Sequence, residues 1–180
     1  ITESGAHLVP VNGPGRQGLQ NLGNSCYINS VVQMLLGGCV LELSKRYGTK
    51  PGGDVTSHPL RKGVGPKAAP LDVLAQTAKL GCALTSGAFA GPVPDTTVVV
   101  DESSPCNDPK YRLAPRMFKH CVGRDHPDFR THQQQDASQF LQYFLEKLDR
   151  AELGAGARLP KKGGGDATAV SSGLFSFRTE

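Results

Sequence analysis

The stretch that decides the fold runs from Gly18 to Met34 and reads GLQNLGNSCYINSVVQM. A polar turn that contains glycine leads directly into an apolar segment, and Cys26 stands at the junction. From this cysteine onward the apolar residues recur at intervals of three and four, which predicts a helix with one buried face. Asn24 and Ser25, just before it, are favoured N-cap residues. The pattern therefore places the Cys26 thiol in the first turn of a helix.

A thiol in that position suits nucleophilic chemistry. Unpaired backbone N–H groups and the positive end of the helix dipole favour an anion there, and the thiolate is the reactive form of cysteine. Asn21 offers a side-chain amide that can stabilise an oxyanion, and Gly23 lets the backbone pass close to a substrate. These residue types fit acyl transfer to Cys26. The alternative is that Cys26 is a small buried residue on a part-apolar helix, which is the commoner role of cysteine.

Two long motifs resemble those of the ubiquitin-specific proteases. GLQNLGNSCYINS, at 18–30, is similar to the cysteine box of that family, which usually reads GLxNLGNTCYMNS. Only Ser25 and Ile28 depart from it, both conservatively. More than a hundred residues later, QQDASQFL at 134–141 resembles the family's second box, QQDAxEFL, with Gln139 where the family usually has Glu.

Shorter matches resemble the isopeptidase T subgroup of the same family. They are PRMFK at 115–119 and HPDF at 126–129, and the GNSC variant of the cysteine box points the same way. The resemblance implies a mainly α chain, the helical N-terminal (thumb-like) half of a papain-like cysteine-protease α+β fold, with long Gly/Pro-rich loops. It also implies that residues 1–180 are the N-terminal part of a ubiquitin-specific protease catalytic domain.

The resemblance assigns roles to residues of both boxes. Cys26 attacks the carbonyl after the ubiquitin C-terminal glycine, and Asn21 stabilises the oxyanion. The residues that line the cleft and hold the ubiquitin tail are Gln134, Gln135 and Asp136. That tail carries arginines, so an acid suits it, and the loss of a charge at the Gln139 position weakens the expected grip. We expect the thiol to look across a groove at the amides and acid around residue 135.

A cysteine peptidase also needs a base and a group that orients the base. In this family a histidine and an Asp or Asn come from a box near the far end of the catalytic domain. The five histidines of this chain do not lie in that context, and the chain begins with Ile1 rather than Met. We therefore expect a fragment that holds the nucleophile and is inactive alone, from a deubiquitinating enzyme acting on polyubiquitin. One alternative is a catalytically inactive module that binds ubiquitin or serves as a scaffold. Another is a papain-type protease of other specificity, which the second box does not support.

Composition limits the partners. The net charge of +4 comes without a basic stripe interleaved with aromatics, so nucleic acid is not expected. No apolar run approaches the ~20 residues of a membrane span, and no signal peptide is visible. Five cysteines at irregular spacing predict neither a disulfide framework nor a metal site, and they fit a reducing compartment, the cytoplasm and/or the nucleus. No cofactor is expected, and ubiquitin or polyubiquitin is the expected partner.

Periodicity predicts four helices, and composition predicts two flexible loops. The helices are expected over 26–37, 71–87, 113–122 and 133–150, and the loops over 48–70 and 154–172. Within or beside the first loop, Lys45 and Arg46 are expected to be solvated and His58 to be exposed. Short strands are expected at 7–11, 98–100 and 173–180.

Overall fold

In the computed structural model, residues 13–54, 56–91, 112–156 and 174–175 are described. They form five α-helices and two short 3₁₀ turns, at Pro59–Arg61 and Ala69–Leu71. The helices are α1 (Cys26–Leu36), α2 (Leu41–Tyr47), α3 (Val73–Ser86), α4 (Arg116–Gly123) and α5 (Ala137–Gly154). In this part of the chain the only β pairing is an isolated bridge between Leu19 and Leu113. The mainly α fold class predicted from the sequence is confirmed.

Helix α1 buries the face that its periodicity predicts. Its core residues are all at most 4 % exposed: Tyr27, Ile28, Val31, Val32, Leu35 and Leu36. The helix ends before Gly37, as expected. Since both ends and the buried face follow from local signals, the position of Cys26 at the start of α1 also follows from them.

Helix α2 is not among the four helices that periodicity predicted. Leu43 and Tyr47 lie four residues apart, which puts both on the buried side of α2. Helix α3 comes very close to them: a Cβ added at Gly81 would lie 2.5 Å from the carbonyl oxygen of Tyr47. Glycine at this position therefore allows the two helices to pack.

The expectation that Arg46 is solvated was wrong. Its side chain is only 14 % exposed and forms an ion pair with Glu152. The Arg46 Nε donates to a Glu152 carboxylate oxygen at 2.8 Å, and the Tyr47 hydroxyl donates to the same oxygen. Burial, followed by the charge of Glu152, raises the pKa of Tyr47. The ion pair ties α2 to the last turn of α5.

Helix α3 begins at Val73, two residues after the predicted start, and stops at Gly87 as predicted. The side chain of Asp72 accepts a hydrogen bond from the Ala75 N–H at 2.7 Å, which caps the N-terminus. Gly87 follows the last residue with a φ of +76°, a left-handed conformation that favours glycine. Helix α3 packs against each of the other four helices, so it forms the centre of the helical assembly.

The predicted starts of α4 and α5 were wrong by a few residues. Pro115 is the N-cap of α4 rather than part of its first turn. Helix α5 begins at Ala137 because Asp136 takes the N-cap position and accepts from the Gln139 N–H at 2.9 Å. Its far end passes the predicted residue 150 and continues through the buried Glu152 to Gly154.

The segment at 48–70 contains the first 3₁₀ turn, in which Leu60 is buried. The expected exposure of His58 was wrong: the ring is half-buried, and its Nε2 lies 3.0 Å from the carbonyl oxygen of Arg46. Burial lowers the pKa of His58. The flexibility of 48–70 and of 154–172 stays a prediction.

The strands expected at 7–11 and 98–100 lie outside the described residues. Of the strand expected at 173–180, only Leu174 and Phe175 are described, and their backbone is helical rather than extended. None of the helices in the described ranges is by itself long and apolar enough to cross a bilayer. Helices α1 and α2 would reach that length only together, and they meet at a bend of 92°.

Candidate active site

The turn before α1 is built by its own polar side chains. The Asn21 Oδ1 accepts from the Ser25 N–H at 3.0 Å and from the Ser25 hydroxyl at 3.2 Å. The Ser25 Oγ in turn accepts from the Leu22 N–H at 2.8 Å. Ser25 is the N-cap residue of α1, as predicted, but its buried side chain bonds to the preceding turn instead of capping the helix. These bonds fix the turn that presents Cys26.

Two consecutive residues of this turn have a left-handed backbone. Gly23 has a φ of +85° and Asn24 a φ of +51°. Glycine adopts this conformation without a steric penalty, and asparagine tolerates it better than most residues. The Gly-Asn pair therefore reverses the chain sharply just before the cysteine.

Cys26 is the first residue of α1, and its side chain is exposed. The predicted position in the first turn is confirmed, and the alternative of a buried structural cysteine is wrong. In the described ranges the Cys26 sulfur makes no hydrogen bond, while its backbone carbonyl accepts from the Ser30 hydroxyl at 2.8 Å. The thiol is thus open to an approaching carbonyl group.

Asn21 lies in this turn and is exposed, and the oxygen and nitrogen of its side-chain amide differ in their hydrogen bonding. The oxygen is occupied by Ser25, whereas the NH₂ group makes no hydrogen bond to any described residue. The group that has to donate to an oxyanion is therefore the one that remains available. The catalytic role of Asn21 stays a prediction.

Long-range contacts hold this turn against the helices. The Gln20 N–H donates to the Leu113 carbonyl at 2.7 Å, next to the Leu19–Leu113 bridge. From α1, the Asn29 amide donates to the Gln20 carbonyl at 3.2 Å, and the Gln33 amide donates to the Gln17 carbonyl at 2.6 Å. The segment that leads into the cysteine turn is thus fixed on both sides.

The second motif lies at the start of α5. Gln134 is exposed, Gln135 is half-buried, and Asp136 is exposed while one of its oxygens caps the helix. The expectation that these residues occupy the first turn of the helix was wrong, since the two glutamines precede it. Because a carboxylate has a second oxygen, capping leaves Asp136 able to accept from a bound cation.

The structure brings the two motifs together. Tyr27, next to the cysteine, packs edge-on against Phe140 of the second motif, with ring centroids 5.5 Å apart. Phe129 fills the corner between them, 5.3 Å from Phe140. Above this cluster the Asn24 amide donates to the His132 carbonyl at 3.1 Å. The predicted proximity of the cysteine turn and the region before α5 is confirmed.

The Asn24–His132 contact was not predicted, since Asn24 was considered only as a capping residue. Its signal in the sequence is the Gly-Asn pair, which favours a left-handed turn. Tyr27 was predicted only as a core residue. Burial, and to a lesser extent the nearby Cys26 thiolate, raises the pKa of Tyr27.

The described histidines do not contact the Cys26 sulfur. His126 stacks on Phe129 with a centroid distance of 4.2 Å, and its Nδ1 accepts from the Asp128 N–H at 3.2 Å. His58 bonds to α2, and His132 lies near Lys119. Within the described ranges, the site therefore contains a nucleophile, Cys26, and a nearby amide donor, Asn21.

The other described cysteines have different surroundings. Cys39 is exposed, whereas Cys82 and Cys121 are buried. Burial raises the pKa of the Cys82 thiol to about 11 and also raises that of Cys121. None of the four described cysteines forms a disulfide bond with another described residue. No group of three or more His, Cys, Asp or Glu side chains among the described residues is arranged to hold a metal ion.

Comparison with known proteins agrees with this arrangement. The model of the ubiquitin carboxyl-terminal hydrolase family matches residues 17–173. The chain is 38 % identical over 152 residues to human ubiquitin carboxyl-terminal hydrolase 5, which covers 83 % of this chain and 16 % of the human protein. It is 33 % identical over 156 residues to mouse ubiquitin carboxyl-terminal hydrolase 13, which covers 86 % of this chain and 17 % of the mouse protein.

A third relative is ubiquitin carboxyl-terminal hydrolase A of Dictyostelium discoideum, 36 % identical over 155 residues, with 84 % of this chain and 17 % of that protein covered. The chain therefore spans about one-sixth of the length of these relatives. The matches to hydrolases 5 and 13 fit the isopeptidase T-like subgroup that the short motifs indicate. With both boxes, the exposed cysteine and a family match over most of its length, the chain belongs to the ubiquitin carboxyl-terminal hydrolase family.

Proposed function

We propose that this chain supplies the nucleophile and part of the ubiquitin-tail cleft of a deubiquitinating cysteine protease. The reaction is hydrolysis of peptide and isopeptide bonds after the ubiquitin C-terminal glycine. The observation that carries the proposal is the exposed Cys26 in the first turn of α1, after a hydrogen-bonded turn that contacts His132, two residues before the second motif. We also propose action in the cytoplasm and/or the nucleus, since five irregularly spaced cysteines do not indicate a disulfide framework.

The chemistry follows from the groups present. The Cys26 thiolate attacks the carbonyl carbon of the terminal glycine, a C–S bond forms, and the carbonyl oxygen takes the negative charge. The Asn21 NH₂ donates to this oxyanion. The C–N bond then breaks, the amine leaves with a proton from the general acid, and water hydrolyses the thioester to regenerate the thiol. In this proposal the acid–base group comes from another part of the protein, as the resemblance to the family implies.

The second motif holds the substrate. The open oxygen of Asp136 pairs with an arginine of the ubiquitin tail, and the amides of Gln134 and Gln135 bond to its extended backbone. The exposed or half-buried positions of these side chains at the start of α5 support the proposal. Because the family likeness is to the isopeptidase T-like subgroup, the substrate we propose is polyubiquitin.

Covalent capture tests the nucleophile. The full-length protein that contains this chain is treated with a ubiquitin probe bearing a C-terminal electrophile, and the adduct is measured by mass. We expect Cys26→Ala to abolish the adduct and Cys39→Ala, which removes another exposed thiol, to leave it unchanged. An adduct that survives in Cys26→Ala or disappears in Cys39→Ala would contradict the assignment.

A variant of Asn21 tests the oxyanion role separately from folding. Asn21→Asp keeps the oxygen that accepts from Ser25 but removes the NH₂ donor. We expect kcat of the full-length enzyme to fall by about 10²–10³-fold, as for other lost oxyanion donors, while KM changes little. The measurement is steady-state hydrolysis of a ubiquitin C-terminal fluorogenic amide. Unchanged kcat would remove Asn21 from the mechanism.

The same substrate distinguishes an active enzyme from an inactive ubiquitin-binding module. We expect turnover by the full-length protein and none by the 180-residue chain alone, because the acid–base group lies elsewhere. Ubiquitin binding without turnover by the full-length protein would favour the inactive module. Robust turnover by the 180-residue chain would refute the assignment of the base to another part of the protein.

A further inference from the structure

A cleft of about 630 Å³ lies beside the cysteine turn, between α4 and the turn that leads to the second motif. Its lining includes Leu22 of the cysteine turn, together with Phe129 and Thr131. All its remaining lining side chains are basic or imidazole groups: Arg116, Lys119, His120, Arg124, Arg130 and His132. Among the described residues, none that lines the cleft is acidic. We refer to it as the cationic cleft.

The positive charges of the cationic cleft are poorly compensated. In the described part of the chain, Arg116, Lys119 and Arg130 form no ion pair with a carboxylate. Arg124 contacts Asp125 at 3.3 Å, but that carboxylate is shared with Lys147 at 3.0 Å. Since like charges repel at close range, an arrangement of this kind is stabilised when an anion binds.

Lys119 is a partly buried cation that forms no ion pair with a carboxylate among the described residues. Its side chain is partly buried, and burial lowers its pKa. Its ammonium nitrogen lies 3.5 Å from the Nδ1 of His132. An imidazole nitrogen accepts a proton but brings no negative charge, so the ammonium group lacks the partner that a partly desolvated cation needs.

The backbone holds these side chains in place. Arg116, Lys119 and His120 lie at i, i+3 and i+4 and share one face of α4. At the end of the helix, Gly123 packs so tightly that an added Cβ would lie 2.6 Å from the Phe129 carbonyl oxygen.

The turn at 126–130, which follows α4, is fixed by backbone hydrogen bonds. The His126 N–H donates to the Gly123 carbonyl at 3.0 Å, and the Arg130 N–H donates to the His126 carbonyl at 3.2 Å. Phe129 between them is buried and packs against the aromatic cluster. The cations on the turn therefore face those on α4 because of fixed backbone geometry.

We propose that the cationic cleft binds a ligand carrying two or more phosphate groups. The planar guanidinium of arginine pairs with phosphate through two parallel hydrogen bonds, and three arginines line the cleft. Its volume lies within the range of small-molecule sites. A single carboxylate would leave most of the lining charge uncompensated, whereas two phosphates carry enough charge to balance it. The ubiquitin tail is itself cationic, so it is not the ligand proposed here, and the phosphate site does not depend on the proposed hydrolase activity.

Calorimetric titration of the full-length protein that contains this chain with sodium tripolyphosphate tests the proposal. We expect saturable binding that weakens as NaCl rises from 50 to 200 mM. Arg116→Glu and Arg130→Glu should each weaken binding by about tenfold or more, as expected when a charged hydrogen-bond partner is lost. Lys79→Glu changes the net charge equally at an exposed site on α3 and should change the affinity less than about twofold.

Arg130→Gln provides a milder variant if the charge reversals disturb folding, since it removes the charge and keeps a polar side chain of similar shape. Circular dichroism at 222 nm checks that each variant is folded. Absence of binding, or an equal loss in Lys79→Glu, would overturn the proposal. Tighter binding of a glutamate-rich peptide than of tripolyphosphate would also overturn it, in favour of an acidic protein. Inositol hexakisphosphate and a doubly phosphorylated peptide, titrated in parallel, separate a free phosphate compound from a modified protein, and either one binding supports phosphate recognition.

Discussion

At the scale of single residues, Glu152 carries a buried carboxylate whose stability depends on its partners. Its carboxylate is fully buried and is held by Arg46 and by the Tyr47 hydroxyl. Removal of one partner of a buried ion pair leaves the other charge uncompensated, which costs about 3–5 kcal/mol. We expect Glu152→Ala to lower the free energy of unfolding by about that amount, measured by urea denaturation.

Glu146 on the same helix provides the matched control. It also pairs with an arginine, Arg150, at 3.2 Å, but both side chains are largely exposed. Exposed pairs contribute about 0–1 kcal/mol, so Glu146→Ala should change stability little. Similar losses in Glu146→Ala and Glu152→Ala would show that burial does not determine the contribution of Glu152.

The residues that the sequence could and could not predict differ in the range of their contacts. Cys26 was placed correctly because the turn and the helix that position it are contiguous in the chain. Arg46 was predicted to be solvated because its partner, Glu152, is 106 residues away. The Asn24–His132 bond spans 108 residues and was missed for the same reason. Local sequence patterns therefore predict the position of a residue in its helix or turn. Its contacts with residues distant in the sequence are determined by how the helices pack.

At the scale of secondary-structure elements, Asp136 combines a cap with the proposed tail contact. Asparagine caps a helix about as well as aspartate, whereas alanine costs about 1 kcal/mol. We expect Asp136→Asn to retain stability and Asp136→Ala to lose about 1 kcal/mol in urea denaturation. Both should weaken ubiquitin binding by the full-length protein, measured in a Cys26→Ala background. If Asp136→Asn binds ubiquitin normally, the carboxylate serves only as a cap.

We expect replacement by alanine to have opposite effects on stability at two helix-terminal glycines, Gly123 and Gly154. A Cβ at Gly123 would meet the Phe129 carbonyl oxygen at 2.6 Å, so Gly123→Ala should cost about 1–3 kcal/mol through overpacking. Nothing lies within 4 Å of a Cβ at Gly154, and alanine favours helix, so Gly154→Ala should be neutral or stabilising by up to about 1 kcal/mol. Urea midpoints of both variants compare the two effects, and a harmless Gly123→Ala would contradict the close packing of α4 on the turn.

The elements themselves were predictable where a local signal marks them. Periodicity gave α1, and Gly87 gave the end of α3. Helix α2 was missed because its seven residues place only two apolar side chains, Leu43 and Tyr47, on the core. Two positions are too few for a helical period, so this helix depends on the contact with α3 for its stability.

At the scale of the whole molecule, the core holds several acids in their neutral form. They are Tyr27, Tyr47, Cys82 and Cys121, and burial raises the pKa of each. For Cys82 the pKa rises from 9.0 to about 11. In the unfolded chain these groups meet water and ionise at their ordinary values. As the pH rises, the unfolded chain therefore loses protons before the folded chain does, which favours unfolding.

The free energy of unfolding should accordingly be unaffected by these groups below about pH 8.5 and fall from there towards pH 11. Each group that is ionised only in the unfolded chain contributes a slope of about 1.4 kcal/mol per pH unit. Urea denaturation followed by circular dichroism from pH 8 to 10.5 measures this slope. Cys82→Ala should reduce it, whereas Cys39→Ala, at an exposed thiol, should not. A stability that rises with pH, or a slope indifferent to Cys82→Ala, would mean that the core thiols meet water in the folded protein.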